Sequence, residues 1–353
     1  MSSTSIQRCF IILAGAALVL AAGVATADTI VTVPVGNVGN AWDKPVPTQE
    51  NYYGRVDYQY SIGKYEVTAS EYMEFLNAVA ATDTYNLYHT SMDDIGTQYA
   101  GCGIQRNGSP GSYTYSLLAS DWANRPVNYV SWGDAARFAN WLHNGKPGLV
   151  TPVPQDQYST ERGSYELNGA WQYTDLKNVN RSGTATWVIP TEDEWYKAAY
   201  YKGGGANAGY WDFAMKSEYQ MPYPSNDLTL PETPDPGNNA NHYIAGDWSV
   251  GSPYYKSVVG DFENSESAYN TFDQCGNVWE WNEAKYYDGA RGYRGGAYDG
   301  SRDYMAASYR AGNYASFEMQ DVGFRVALVP EPGSIVLLLG AAAAGLVCWR
   351  RRK

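Results

Sequence analysis

The sequence predicts a single α+β domain that is rich in loops. Three segments begin with the capping pattern of a helix start, at Thr68, Ser131 and Thr191. Short β-branched or aromatic runs bounded by turn residues predict strands. These runs cover residues 30–35, 58–67, 186–189, 304–309 and 322–328. Long tracts of Gly, Pro, Ser and Asn at 100–111 and 221–240 predict loops, and no fixed-period repeat or internal linker divides the chain.

The N-terminus has the order of residues found in a secretory signal peptide. Arg8 precedes an apolar run, and a small-residue cleavage site ends at Ala27. We therefore expect signal peptidase to cut between Ala27 and Asp28, so that residues 1–27 are removed and the domain occupies 28–329. An uncleaved membrane helix is the alternative, which the short length of the apolar run disfavours.

The first predicted helix shows why the three helix starts are convincing. After Thr68, Glu71 stands at the third position and completes a capping box. Tyr72, Phe75 and Leu76 follow at helical spacing and share one face. The two later starts also have an acidic residue at their third position. We expect all three apolar faces to be core.

The C-terminus carries a short motif followed by an apolar segment. Pro330, Glu331 and Pro332 precede an apolar stretch over 334–349 and a basic cluster over 350–353. A helix over that stretch reaches only about 25 Å, the lower limit for spanning a bilayer. The basic cluster would hold its end in the cytoplasm. Composition alone predicts a permanent single-pass transmembrane anchor.

This arrangement resembles the PEP-CTERM sorting signal of bacterial exported proteins, which the segment 330–353 would then form. The resemblance implies that the membrane protease exosortase reads the tail as a processing address. The mature protein would go to the cell surface or to an extracellular polysaccharide matrix. We prefer sorting to permanent anchoring, although membrane contact through the C-terminal helix is then at least transient.

Composition limits the function classes. The 353 residues carry a formal net charge of -12, so nucleic acid is not expected as a partner. The acidity suits a solvated extracellular protein that binds divalent cations. The chain has 32 Tyr and 12 Trp against 8 Phe, so most of its aromatic rings carry a polar group suited to a wet surface.

The cysteine count allows at most one disulfide in the domain. Cys9 lies in the signal and Cys348 in the tail, so the domain keeps only Cys102 and Cys275. In an oxidising compartment these two could form a disulfide. Two buried free thiols are the equal alternative, because sequence does not show that the two residues are neighbours.

Six motifs occur in a fixed order along the chain. They are IGKYEVT at 62–68, RPVNYVSW at 125–132, IPTEDEW at 189–195, GNVWEW at 276–281, RGGAY at 294–298 and GFRV at 323–326. Together they resemble the formylglycine-generating enzyme, or sulfatase-modifying factor, family. That resemblance implies a variant of the C-type-lectin fold with little regular secondary structure.

The resemblance fails at the family's catalytic positions. Family enzymes place a serine and two copper-binding cysteines after the Arg-Gly-Gly motif, and the matching residues here are Ala297, Gly300 and Met305. Copper(I) needs soft thiolate ligands, so we do not expect copper or formylglycine formation. The chain has three dispersed histidines and no catalytic motif of another class, so iron is not expected either.

Calcium is the cofactor that the resemblance favours. Family members hold structural calcium around the Gly-Asn-x-Trp-Glu motif, and the matching positions are Asp273, Gln274, Gly276 and Val278. Asp273 offers the hard anionic oxygen that calcium prefers. A turn-capping role without metal is an equal alternative for this residue.

A second family calcium site would start at the position that Asn241 occupies, followed by His242. The remaining ligands of that site would fall near residues 251–253, where no carboxylate matches. The second site is therefore the less secure of the two predictions.

These observations favour a non-catalytic surface or matrix protein that binds a ligand, with extracellular polysaccharide as a partner. The binding surface expected from the family's active-site groove contains Trp281, Arg294, Tyr298, Arg302 and Arg310. The alternative is an oxidoreductase-type enzyme of the formylglycine-generating or non-haem iron superfamily, acting on an exported protein through a rearranged site. A purely structural role in the matrix also stays open.

Overall fold

A computed structural model describes residues 29–218, 237–244 and 246–330. The predicted cleavage site at Ala27 and Asp28, the motif residues Glu331 and Pro332, and the apolar stretch 334–349 lie outside these residues. Within the described part of the chain, no helix is both long and apolar enough to cross a membrane.

The described residues form four helices, twelve short strands and several 3-10 turns. The helices are α1 (Ala69–Val79), α2 (Trp132–His143), α3 (Tyr173–Leu176) and α4 (Glu192–Tyr200). The strands are β1 (Thr32–Val35), β2 (Tyr60–Gly63), β3 (Ile104–Asn107), β4 (Thr114–Leu117), β5 (Trp187–Val188), β6 (Tyr243–Ile244), β7 (Asp247–Trp248), β8 (Trp279–Lys285), β9 (Ala290–Arg294), β10 (Ala311–Tyr314), β11 (Val322–Gly323) and β12 (Ala327–Leu328). Loops join nearly all of them, so the predicted loop-rich α+β class is confirmed.

All three predicted helix starts are capping boxes. The side chains of Thr68, Ser131 and Thr191 each accept a hydrogen bond from the backbone N–H three residues later. The acidic residue at that third position accepts the reciprocal bond. The local sequence therefore sets where α1, α2 and α4 begin.

The strands form two four-stranded sheets and two hairpins. The first sheet has the order β1-β2-β12-β5, and the second has the order β10-β9-β8-β11. In the first sheet, Ala327 of β12 lies between Ile62 of β2 and Val188 of β5. The first and last parts of the domain therefore share one sheet.

One strand prediction and one loop prediction need correction. The run 304–309 is not a strand, because the Ser301 side chain caps a 3-10 turn over Arg302–Met305 instead. The tract 100–111 is not loop throughout, since β3 pairs with β4 there. A hairpin needs a partner strand, which composition within the tract did not indicate.

Buried charges join four of the six sequence motifs. The Arg325 guanidinium donates Nη2–H to Glu280 at 2.6 Å, and it donates Nη1–H to the Gly63 carbonyl at 2.9 Å. The Trp195 indole N–H donates to the same Glu280 carboxylate at 2.8 Å. Because Arg325 and Glu280 are fully buried, removing either side chain would leave an uncompensated charge in the core. The motifs thus share one structural centre.

Candidate functional site

The loop after β9 holds the positions where the sequence resemblance places catalytic side chains. Ala297 and Met305 are completely buried. Gly296 has a positive φ of 75°, and a Cβ atom there would lie only 2.8 Å from Met305 Cγ. Packed side chains therefore fill this part of the loop, and the residues at the matching positions provide no thiolate pair.

The two cysteines of the domain are free and buried. Cys102 belongs to the main apolar core, whereas Cys275 belongs to a second apolar cluster around α4. Of the two alternatives open in the sequence, the structure has the free thiols. Burial raises the pKa of the Cys275 thiol to about 12 and also raises that of Cys102. Both thiols stay protonated near neutral pH, which makes them poor nucleophiles and poor metal ligands.

The predicted calcium position at Asp273 adjoins a second carboxylate. Asp273 accepts the Gly260 N–H at 2.7 Å, and burial raises the pKa of its carboxyl to about 7. Glu66 is 2% exposed, and neither of its carboxylate oxygens has a hydrogen-bond partner. Burial and then Asp273 raise the pKa of Glu66 well above its usual range. The buried Glu66 and the partly buried Asp273 offer two neighbouring carboxyl groups with hard oxygen donors, which fits a divalent cation.

Other parts of that prediction fit less well. The Gln274 side chain accepts from Thr271 through Oε1 and donates to the Trp195 carbonyl through Nε2, so both of its ends are engaged. Gly276 and Val278 are buried and could offer only backbone oxygens. Within residues 29–218, 237–244 and 246–330, no three His, Cys, Asp or Glu side chains group as a metal site.

The second predicted calcium position keeps one available oxygen. Asn241 donates through Nδ2 to the Tyr255 carbonyl at 2.9 Å, while its buried Oδ1 has no hydrogen-bond partner. The His242 carbonyl accepts from the Ser249 hydroxyl at 2.8 Å. His242 Nε2 is buried without a partner. One amide oxygen is a weak basis for a cation site.

The predicted ligand-binding surface is mostly core, which corrects that expectation. Trp281, Arg294 and Tyr298 are completely buried. Trp281 donates its indole N–H to the Val130 carbonyl at 2.9 Å. Arg294 donates to the Glu192 carboxylate at 2.8 Å. Buried polar groups need such partners, and these partners hold the side chains away from solvent.

Two of the five predicted residues reach the surface. Arg302 is partly exposed in the 3-10 turn. Arg310 is also partly exposed and donates two hydrogen bonds to Glu192, at 2.9 and 2.7 Å. The Arg310 guanidinium also lies over the Tyr286 ring, 4.7 Å from its centroid. It therefore marks the edge of an exposed aromatic surface that the sequence prediction missed.

We call this surface the aromatic face. It consists of Tyr173, Tyr286, Tyr287, Tyr314 and Phe317, which are 36% to 48% exposed. Ring centroids are 4.5 Å apart for Tyr173 and Tyr314, and 5.7 Å apart for Tyr287 and Tyr314. The excess of Tyr over Phe and the adjacent pair at 286–287 were the available sequence signals.

Strand ends and a glycine place these rings together. Tyr286 and Tyr287 follow β8, and Tyr314 ends β10. Gly289 in the β8–β9 turn has a φ of 79°, and a Cβ atom there would lie 2.5 Å from the Tyr173 ring. A side chain at this position would push Tyr173 away from its neighbours.

Beside the aromatic face lies a cavity of about 160 Å³, which we call the α2 cavity. Its wall includes Asp134 of α2, Trp171, Gln172, Ser316 and Glu318. Trp171 and Gln172 precede Tyr173 in the chain, and Ser316 and Glu318 flank Phe317. Cavity and face therefore share two segments of the chain.

Comparisons with known proteins give two sequence matches. The family described as sulfatase-modifying factor enzyme 1-like domain matches residues 16–329. The PEP-CTERM protein-sorting motif matches residues 328–353. A search of the curated proteins finds no match.

Three solved structures resemble this chain at low sequence identity. The crystal structure of CarF is 20% identical, with 86% of this chain and 99% of that chain covered at a TM-score of 0.50. PvdO from Pseudomonas aeruginosa is 17% identical, with 85% and 94% covered at 0.48. Treponema denticola variable protein 1 is 20% identical, with 85% and 95% covered at 0.45. The likeness to CarF supports the fold, and no argument about function follows from the three.

Proposed function

From the premise that this chain belongs to the family of sulfatase-modifying factor enzyme 1-like domains, we propose that its domain is a non-catalytic module that binds an extracellular glycan. The PEP-CTERM motif at 328–353 marks the chain as an exported, cell-surface-associated protein that exosortase processes. The cell surface is where such a module would meet polysaccharide.

The catalytic positions of the family support the non-catalytic part of the proposal. Ala297, Gly300 and Met305 carry neither hydroxyl nor thiol. The thiols of Cys102 and Cys275 are buried and protonated, so they do not replace the missing pair. We infer that this domain has kept the family scaffold without the family's chemistry.

The aromatic face is the observation that carries the binding part. Its five rings are each more than a third exposed. They form one contiguous cluster around Tyr314, whose ring contacts three of the other four. Aromatic side chains with an apolar body and a polar tip suit wet surfaces and bind flat ligands by stacking. Contiguous exposed apolar surface on a protein is typical of an interaction site. A sugar ring offers both an apolar face and hydroxyl groups that match this surface.

The test removes two rings at the centre of the face. The double variant Tyr287→Ala with Tyr314→Ala should lose roughly tenfold in affinity per ring for immobilised chitosan, cellulose or alginate, whichever the wild type retains. Affinity electrophoresis or a retention assay measures the change. Tyr158→Ala is the matched control, because that tyrosine is 75% exposed and lies outside the face. Equal retention of the double variant and the wild type would sink the proposal.

We also propose that a calcium ion stabilises the domain near Asp273. Support comes from the buried Glu66 carboxyl group without hydrogen-bond partners and from the nearby Asp273 carboxyl group, whose pKa burial raises. A bound cation would neutralise the two carboxylates and so stabilise the charged form of each.

A further inference from the structure

The α2 cavity is too small for a polymer and large enough for one small group. Its volume of about 160 Å³ lies below the several hundred cubic ångströms of typical drug-sized sites. It opens beside Trp171, whose side chain is 53% exposed. A chain lying on the aromatic face could place a single substituent or ring in this cavity.

Two carboxyl groups meet inside the cavity. Asp134 is 3% exposed and accepts hydrogen bonds from the Ser131 N–H at 2.8 Å and the Ser131 hydroxyl at 2.6 Å. Glu318 forms a side-chain hydrogen bond with Asp134, so one of the two carboxyls must keep a proton. Burial and then the Asp134 charge raise the pKa of Glu318 to about 9. The pair therefore holds negative charge, which the nearby Arg137 offsets only in part at Asp134.

The nearest cations are committed elsewhere. Arg137 donates to both Glu161 oxygens, at 2.7 and 3.1 Å, and lies over the Tyr85 ring at 4.1 Å. Arg106 pairs with Asp83 at 3.2 Å. In the part of the chain that the structure describes, no Lys, Arg or His forms an ion pair with Asp134 or Glu318. Arg137 also lines the cavity, but its charge is paired with Glu161, so the two carboxyl groups can still take an external cation.

The aromatic residues in the cavity wall indicate which kind of cation would bind to the carboxyl pair. Trp171 and Tyr85 line the cavity together with the carboxyl pair. Aromatic faces attract organic ammonium groups, which a carboxylate also binds by charge-assisted hydrogen bonds. A calcium ion prefers six to eight oxygen ligands and gains nothing from an indole ring. The combination therefore favours an organic ammonium.

We propose that the α2 cavity binds the ammonium group of an unacetylated amino sugar within the bound glycan. This inference rests on the proposed glycan-binding function and assigns the class of sugar that the glycan contains. The ammonium takes the place of the proton that Asp134 and Glu318 share, and that proton leaves to solvent. The sugar ring packs against Trp171, and the rest of the polymer continues onto the aromatic face.

Isothermal titration calorimetry on the purified protein tests the assignment, with glucosamine, N-acetylglucosamine and glucose as probes. We expect glucosamine to bind at least tenfold more tightly than the two neutral sugars. Glu318→Gln keeps the shape but removes one charge, and it should abolish that preference. Glu166→Gln is the matched control, because Glu166 is an exposed carboxylate outside the cavity. Trp171→Ala should weaken the binding of all three sugars.

The outcomes separate this inference from the proposed function. Equal binding of glucosamine and N-acetylglucosamine overturns the inference, and so does tighter binding of Nα-acetyl-lysine amide or of calcium than of glucosamine. If Glu318→Gln keeps the wild-type preference, the inference also fails. In each of these cases polysaccharide retention that depends on Tyr287 and Tyr314 leaves the glycan-binding function standing. Loss of that dependence would instead remove the proposed function and this inference together.

Discussion

The loop after β9 and the aromatic face adjoin the same sheet but are built in opposite ways. In the loop, Ala297 and Met305 are completely buried. On the face, Tyr287 and Tyr314 are 48% and 36% exposed although they contact each other. The side chains of the loop pack in the core, whereas the large rings of the face stay partly exposed to solvent. The same fold thus buries one region completely and leaves large aromatic rings of another exposed.

The first test of this comparison removes a buried side chain from the loop. Met305→Ala removes a fully buried side chain and should lower the free energy of unfolding by about 2 to 5 kcal/mol. Tyr304→Ala is the control. Tyr304 precedes Met305 in the chain and is 39% exposed, so its removal should lower the free energy of unfolding much less. Urea unfolding measures both. Similar losses for the two variants would mean that the loop is not a packed element.

The second test concerns the proposed calcium ion near Asp273 and Glu66. Calcium at a hundred times its dissociation constant should stabilise the protein by about 2.7 kcal/mol. Asp273→Asn should remove most of that gain, whereas Asp288→Asn should not, because Asp288 is 85% exposed. Differential scanning calorimetry with calcium, magnesium and a chelator gives the shifts in melting temperature. Calcium stabilisation that survives in Asp273→Asn would contradict the proposed site.

The smallest expected effect concerns the cavity next to the face. The pKa of Glu318 is raised to about 9 from an ordinary 4.5, so the folded state binds this proton more tightly than the unfolded state. Its contribution to stability is complete below the unfolded value and is lost as the pH rises from about 5 to 9. Asp134 and Asp83 oppose the Glu318 charge, and Arg137 partly offsets the charge of Asp134.

Glu318→Gln should therefore be more stable than the wild type at pH 9, by on the order of 1 kcal/mol given the partial exposure. The advantage should disappear at pH 5. Urea unfolding at pH 5, 7 and 9 measures the crossing, with Glu166→Gln as the control. A pH-independent difference would show that Glu318 does not titrate in this range.

The helix starts were predictable because their causes are local. Thr68 and Glu71 exchange hydrogen bonds across three residues, and sequence spacing contains that information. The order of the motifs also predicted the family, because segments that meet around Glu280 must all be present. Local patterns of this kind gave most of the fold.

The binding surface was not predictable in the same way. The partner that buries Arg294 is Glu192, which is 102 residues away in the chain. The face likewise depends on Tyr173 meeting Tyr314 across the fold. An Arg or Trp near an expected groove gives no sign of which long-range partner it will have. Exposure is a property of the tertiary structure, so sequence could indicate an aromatic-rich surface but not its location.

The position of β12 has a consequence for biogenesis. This strand is the last of the domain, yet it lies between β2 and β5 and hydrogen-bonds to both. The sheet has a gap until residues 327–328 arrive, so the polypeptide cannot complete its folding while they are still being translocated. The sorting motif begins at residue 328. The chain must therefore be available up to the start of its sorting motif before the first sheet is complete.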